Sequence, residues 1–234
     1  FLPLWQFIYR HKKSGLKSVT ALTWNKRYTD LFATGYGSYQ FDSASFDDGL
    51  ICCFSLKNTS FPEYIIETES GVMCLDFHPQ HSELLVAGLY NGNVLVYDVR
   101  TRSQEPIYTS NNPKSKHYDP VWQVKWSNIN NDTLSFYAIS ADGRVTNWIL
   151  NKTELTNEEV VELKLDAKSL VEKEDEDVIV VEDQEPEIEA ATNIIGLASG
   201  TALSLNKNKS GLFVIGTEEN VIQCYASTKK HASQ

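Results

Sequence analysis

The sequence predicts an all-β protein of the β-propeller class, and three observations carry that prediction. One pattern recurs four times in 234 residues: a short apolar strand ending on a large hydrophobic residue, a strand of small residues, a tight turn, and a strand closed by an aromatic or apolar residue. Large apolar residues in the first strand of each copy fall two apart, which is the period of a strand with one buried face. Asn-Gly or Asp-Gly stands between the second and third strands of three copies, where it supplies the positive φ angles that a two-residue hairpin turn needs. Self-similar units of about 40–45 residues mark propeller blades.

The second copy is the clearest. It runs Val72-Met73-Cys74-Leu75-Asp76-Phe77-His78-Pro79, then Leu84-Leu85-Val86-Ala87-Gly88, the turn Asn91-Gly92, and Val94-Leu95-Val96-Tyr97-Asp98. The first copy has Val19-Thr20-Ala21-Leu22-Thr23-Trp24, Leu31-Phe32-Ala33-Thr34-Gly35, Asp48-Gly49 and Leu50-Ile51-Cys52-Cys53-Phe54. The third has Val121-Trp122-Gln123-Val124-Lys125-Trp126, Phe136-Tyr137-Ala138-Ile139-Ser140, Asp142-Gly143 and Val145-Thr146-Asn147-Trp148. The fourth has Ala202-Leu203-Ser204-Leu205, Leu212-Phe213-Val214-Ile215-Gly216, Glu219-Asn220 and a strand from Val221 to Tyr225. The pairs Leu22/Trp24, Leu75/Phe77, Val124/Trp126 and Leu203/Leu205 are the expected inner-strand core.

A blade needs a fourth, outer strand. Residues 63–68, 106–110 and 160–165 stand where three of these belong. Residues 1–10, with Leu4-Trp5-Gln6-Phe7-Ile8-Tyr9, read as a strand of a neighbouring blade. The expected division is then blade 1 over 11–69, blade 2 over 70–118, blade 3 over 119–165, an acidic disordered insertion over 166–191, and a partial blade 4 over 192–234. A propeller of this kind closes with about seven blades, which removes its strand edges. The four blades are therefore expected to be part of a longer protein.

Composition narrows the function. Hydrophobic residues make up 41% of the chain and aromatics 11%, enough for a packed core. No apolar run has the length of a membrane span. The net charge is −10, but residues 154–189 hold 15 carboxylates against 3 lysines, so the remainder is about +2. Without a basic stripe, nucleic-acid binding is disfavoured. Cys52, Cys53, Cys74 and Cys224 fit neither a zinc knuckle nor a redox pair, and are expected as buried, reduced thiols.

The acidic segment has no blade pattern and would repel itself if compacted. Within it, Val178-Ile179-Val180-Val181 is flanked by acids on both sides. Such a run could add as a strand to another protein's sheet edge, stay as a loop with an apolar patch, or pack as a strand on this propeller.

Catalytic signatures are missing. His78 and His81 have H-x-x-H spacing, but Pro79 intervenes and a strand precedes, so the segment is a turn rather than a metal site. Gly35-Tyr36-Gly37 lacks a following helix and is no phosphate loop. No Ser-His-Asp grouping emerges from local context. No catalytic, cofactor-binding or metal-ligating residue is assigned, and no cofactor is expected.

The repeats alone indicate a WD40-type propeller and a binding platform. Further segments narrow this: Leu31-Phe32-Ala33-Thr34-Gly35-Tyr36-Gly37-Ser38-Tyr39, Phe61-Pro62-Glu63-Tyr64, Asp119-Pro120-Val121-Trp122-Gln123-Val124 and Ser140-Ala141-Asp142-Gly143-Arg144-Val145. With Thr68-Glu69-Ser70-Gly71 running into the second copy, they resemble the dynein intermediate chains, and among these the axonemal outer-arm type 1. The resemblance covers nearly everything except the acidic insertion, which is longer and more acidic than that family leads one to expect.

The resemblance implies a non-catalytic scaffold subunit in the axoneme of a cilium or flagellum, a cytoskeletal structure of the cytoplasm. Its implied partners are the dynein heavy-chain tail, a second intermediate chain, light chains and, through the complex, the doublet microtubule. The ATPase would lie on the heavy chain. Two alternatives stay open: a cytoplasmic or inner-arm intermediate chain, and a WD40 peptide reader or ligase adaptor. The candidate partner-binding residues are Tyr36, Tyr39, Phe41 and Phe46, in a turn of blade 1 that is unusually long and aromatic. Loops are normally polar, so aromatics clustered in one suggest an interface anchor, or a loop folded back on the propeller's own rim.

Overall fold

The computed structural model describes residues 2–9, 17–38, 48–110, 116–127, 133–152, 154–163, 197–209, 211–218 and 222–226. These residues form fifteen strands and no helix. The strands fall into four antiparallel sheets in chain order, each ordered as a meander. Blade 1 is β1 (Ser18–Trp24), β2 (Leu31–Gly37), β3 (Gly49–Ser55) and β4 (Tyr64–Thr68); blade 2 is β5 (Val72–Phe77), β6 (Leu84–Leu89), β7 (Val94–Asp98) and β8 (Tyr108–Thr109). Blade 3 is β9 (Val121–Trp126), β10 (Ser135–Ser140), β11 (Arg144–Leu150) and β12 (Leu155–Glu162); blade 4 shows β13 (Gly200–Leu205), β14 (Leu212–Thr217) and β15 (Ile222–Ala226). These are successive propeller blades.

Core lies between blades, not within them. Leu75, Phe77, Leu85 and Tyr97 of blade 2 pack on Ala33, Ile51 and Cys53 of blade 1. The opposite face of blade 2, with Cys74, Val86 and Val96, packs on Val124, Trp126, Phe136 and Trp148 of blade 3. Tyr137, Ile139 and Leu163 of blade 3 meet Leu203, Phe213 and Ile215 of blade 4. Each large side chain buried this way contributes about 1.5–3 kcal/mol. The large pair on every inner strand points back at the preceding blade. Leu22 and Trp24 point the same way, and no described residue covers them fully: they are 58% and 45% exposed. Their expected burial fails for this reason, not because the strand is misplaced.

Residues 2–9 join no β-ladder among the described residues. Phe7 packs edge-on against Phe32 and Phe54, and Tyr9 against Phe61, so the segment lies over β2, β3 and the β3–β4 loop on that same blade-1 face.

The outer strand of blade 3 corrects the expected 160–165 to Leu155–Glu162. A tight turn closed by the Asn151 N–H on the Glu154 carbonyl (3.0 Å) starts it immediately after β11. Its polar run Thr156-Asn157-Glu158-Glu159 gives no apolar alternation, because an outer strand faces water. In blade 2 the regular ladder with β7 is limited to Tyr108 and Thr109 of the expected 106–110, but the Ile107 and Ser110 N–H groups also donate to the Val96 and Val94 carbonyls (2.8 and 3.1 Å).

The hairpin turns also differ from expectation. Gly92 and Gly143 have φ of +82° and +76°, but Asn91 and Asp142 do not have positive φ. Gly92 N–H reaches the Leu89 carbonyl and Gly143 N–H the Ser140 carbonyl, both at 3.2 Å. This is the three-residue loop in which only the glycine is left-handed. Asn91 and Asp142 are there for their side chains: each accepts the N–H two residues on, from Asn93 (3.0 Å) and Arg144 (3.1 Å).

The acidic stretch 166–191, Val178-Ile179-Val180-Val181 included, lies outside the described residues. Among the described residues no helix is long and apolar enough to cross a membrane.

Candidate interaction site

Loops entering each blade and the turn between its second and third strands emerge on one face of the propeller, and a repeated bond ties them together. The Tyr90 N–H donates to the Gly71 carbonyl (2.8 Å), the Ala141 N–H to Pro120 (3.1 Å), and the Glu218 N–H to Ser199 (3.1 Å). Side chains add to this. Glu69, entering blade 2, accepts from the Asn91 amide at 3.1 Å and from the Asn93 amide. Entering blade 3, His117 plays the corresponding part with Asp142.

The inner strands carry a second repeat near this face. A register shift falls between Val19 and Ala21, Val72 and Cys74, and Gly200 and Ala202, and blade 3 shows the same irregularity where Ser140 pairs Val121 and Ile139 pairs Gln123. One residue per blade is thus left out of register: Thr20, Met73, Trp122 and Thr201. Bulges of this kind bend a strand and re-aim a side chain. The Thr20 and Thr201 hydroxyls turn back onto the carbonyls of Gly35 and Gly216, both at 3.2 Å.

The His117 group is what sequence reading missed. The Asp142 carboxylate lies 3.1 Å from Nδ1 of His117, and Nε2 of His117 lies 2.9 Å from the Thr146 hydroxyl. An acid, an imidazole and a hydroxyl in series look like a nucleophilic triad. Burial decides otherwise, since His117 is 0% and Thr146 1% exposed, leaving no surface for a substrate. Burial by itself would raise the Asp142 carboxyl, but the hydrogen bond and charge of His117, with the Arg144 guanidinium, hold it well below the usual carboxylate range. The arrangement stiffens the loop; it does not perform chemistry. His117 and Asp142 are 25 residues apart, and they meet where the loop entering blade 3 is tied to that blade's own β10–β11 turn.

His78 is likewise structural. Its Nδ1 accepts the N–H groups of Gln80 (3.1 Å) and His81 (2.8 Å), closing the turn after β5. Asn25 closes the corresponding turn of blade 1 by accepting from Arg27 and Tyr28, and Asn206 that of blade 4 by accepting from Asn208 and Lys209. Burial, then the neighbouring His81, push the His78 imidazole down to about 4, so its acceptor lone pair is kept. Among the described residues no group of three or more His, Cys, Asp or Glu could hold a metal ion. Cys52, Cys53 and Cys74 are buried, unbridged thiols, pushed up to about 12 chiefly by desolvation.

Of the four aromatics expected to bind a partner, Tyr36 is in β2 and half-buried, its ring in the cluster of Phe32, Leu50 and Phe54. Desolvation raises its phenol. Tyr39, Phe41 and Phe46 lie outside the described residues.

No family model matches the chain. Individual proteins do. It is 40% identical over 234 residues to dynein axonemal intermediate chain 1 of Rattus norvegicus, all of this chain and 30% of that protein. The chain is homologous to the axonemal dynein intermediate chains. The 78 kDa intermediate chain of the flagellar outer arm of Chlamydomonas reinhardtii is 41% identical to this intermediate-chain homologue over 236 aligned residues, all of this chain and 32% of that one. Dynein axonemal intermediate chain 4 of Xenopus laevis matches at 34% over 225 residues, 94% of this chain and 29% of that protein. The homologue thus spans less than a third of the length of each of these relatives.

Proposed function

We propose that this chain is the propeller region of an outer-arm axonemal dynein intermediate chain, a non-catalytic scaffold in the axoneme of cilia or flagella. The observation that carries the reading is identity of 40% and 41%, over the whole chain, to intermediate chain 1 and to a flagellar outer-arm chain. The lower 34% to axonemal intermediate chain 4 favours the outer-arm type over its relatives. The propeller holds the dynein heavy-chain tail and positions the heavy chain, which hydrolyses ATP. A second intermediate chain, light chains and the doublet microtubule are partners through the complex.

The aromatic turn of blade 1, with Tyr36, Tyr39, Phe41 and Phe46, is part of the heavy-chain contact in this reading. Replacing Tyr39 and Phe41 together with Ala weakens heavy-chain binding without unfolding the blades; unchanged co-purification argues against the site.

The whole reading is tested by tagging the full-length protein in a ciliated cell and extracting isolated axonemes with high salt. Heavy chains, a second intermediate chain and light chains are expected to co-purify. Absence from axonemes, with vesicle-transport dynein or ligase subunits recovered instead, overturns the ciliary assignment.

A further inference from the structure

Outside residues 2–9, Tyr118 is the most exposed large side chain with apolar character among those described, at 72%. An exposed tyrosine is ordinarily free to turn, but this one is held at two points. Its backbone N–H donates to the Asp142 carboxylate (3.1 Å), and the Arg144 guanidinium lies over its ring, 4.8 Å from the centroid. Arg144 is itself fixed: Nε and Nη2 donate to Asp142 (3.1 and 2.7 Å), and Nη2 also to the Lys116 carbonyl (2.9 Å). Behind Asp142 stands the buried His117. The ring therefore presents one face to water from a rigid mount.

A second apolar group borders the same turn. Leu197 is 46% exposed, and a Cβ at Gly143 would come within 2.7 Å of its own Cβ. Tyr118 and Leu197 both border the turn of residues 141–144, on the propeller face where the loop entering each blade meets that blade's turn.

This combination selects a protein partner. Tyrosine and arginine are the residues that most often dominate interface energy, above all where they are pre-ordered, because the rotamer entropy a mobile ring would lose on binding is already spent. A second cation is disfavoured, since Arg144 already occupies one ring face. Phosphate is disfavoured, since the Asp142 carboxylate already stands against the Arg144 guanidinium. What fits is an aliphatic side chain laid across Tyr118 and Leu197, with a carbonyl or carboxylate oxygen beside it. Among the described residues Arg144 donates only from its backbone N, Nε and Nη2, which leaves Nη1 for that oxygen.

We propose that Tyr118, seated on Arg144 and flanked by Leu197, is an anchor for a heavy-chain tail segment that brings an aliphatic side chain next to an acceptor oxygen. This rests on the heavy-chain reading above.

The test is binding of the full-length protein to the isolated heavy-chain tail, with melting temperature as the control for folding. Tyr118→Ala is expected to weaken binding about tenfold or more, and Tyr118→Phe to keep it within about twofold, since the hydroxyl is not what is recognised. Leu197→Ala falls between them. Phe61→Ala, an exposed aromatic in the turn between β3 and β4 at the other end of the blade, leaves binding unchanged. If the wild type fails to bind the tail, the proposed function falls and this anchor with it. If the wild type binds and Tyr118→Ala binds equally or better, the anchor alone is overturned.

Discussion

Asp76 and Trp126 join blades 2 and 3 through two hydrogen bonds that run in the same direction: the Trp126 backbone N–H donates to the Asp76 carboxylate (3.1 Å), and its indole N–H to the Asp76 carbonyl (3.0 Å). The carboxylate is buried, and desolvation raises its pKa against the pull of Lys125 and the Trp126 N–H. A raised acid destabilises the fold once it is ionised. Asp76→Asn keeps an acceptor for Trp126 and removes the charge. Its stability at neutral pH, measured by urea unfolding, is expected to equal or exceed that of the wild type, whereas Asp76→Ala loses about 1–2 kcal/mol.

Asp142 behaves in the opposite sense. Its folded-state pKa is depressed, so its stabilisation is complete above the ordinary carboxylate range near about pH 4 and is lost as pH falls below it. Acid unfolding of Asp142→Asn is therefore expected to be shallower than that of the wild type below about pH 4. A wild-type slope retained in the variant would remove Asp142 from the account.

Removing the imidazole that faces Asp142 leaves a buried carboxylate short of a partner. His117→Ala is expected to cost about 3 kcal/mol in denaturant unfolding. Because Tyr118 hangs on the same carboxylate, its ring should also lose order, readable as averaged aromatic NMR shifts.

Turn chemistry offers a sharper contrast. His78→Asn is expected to be close to neutral, since Asn25 and Asn206 do the same work in blades 1 and 4. His78→Ala leaves two N–H groups unpaired and costs about 1–2 kcal/mol by the same assay.

Gly92 and Gly143 tolerate no side chain. A Cβ at Gly92 would overlap the His117 carbonyl, and one at Gly143 would come within 2.9 Å of the Ala198 carbonyl, both at positive φ. Ala at either site is expected to lower stability by more than about 1 kcal/mol. A melting temperature unchanged in both variants would contradict the close packing of turn on loop.

The strand repeats were legible because period two and the turn residues are local signals; every copy carries the first, and three of the four carry Asn-Gly or Asp-Gly. Leu75, Phe77, Val124, Trp126 and Leu203 were correctly placed in the core from that alternation. Leu22 and Trp24 obey the same alternation, but whether they are buried depends on what stands against blade 1, which periodicity does not encode. Strand β12 was misplaced because an outer strand can be polar throughout. The His117, Asp142 and Thr146 group gave almost no local signal: its members come from a loop, a turn and a strand, and meet only when the loop entering blade 3 closes on that blade's own turn. A histidine close before an inner strand, with Asp-Gly at the next hairpin turn, was the one available clue.

The buried thiols give the protein an internal record of its own opening. With Cys52 and Cys53 in blade 1, Cys74 in blade 2, and all three held about 12, almost no thiolate is available while the sheets are closed. Alkylation of Cys53 and Cys74 at neutral pH then proceeds only through moments when a blade parts from its neighbour. Comparing its rate at Cys53, between blades 1 and 2, with the rate at Cys74, between blades 2 and 3, measures how independently the two interfaces come apart, without adding a probe to either.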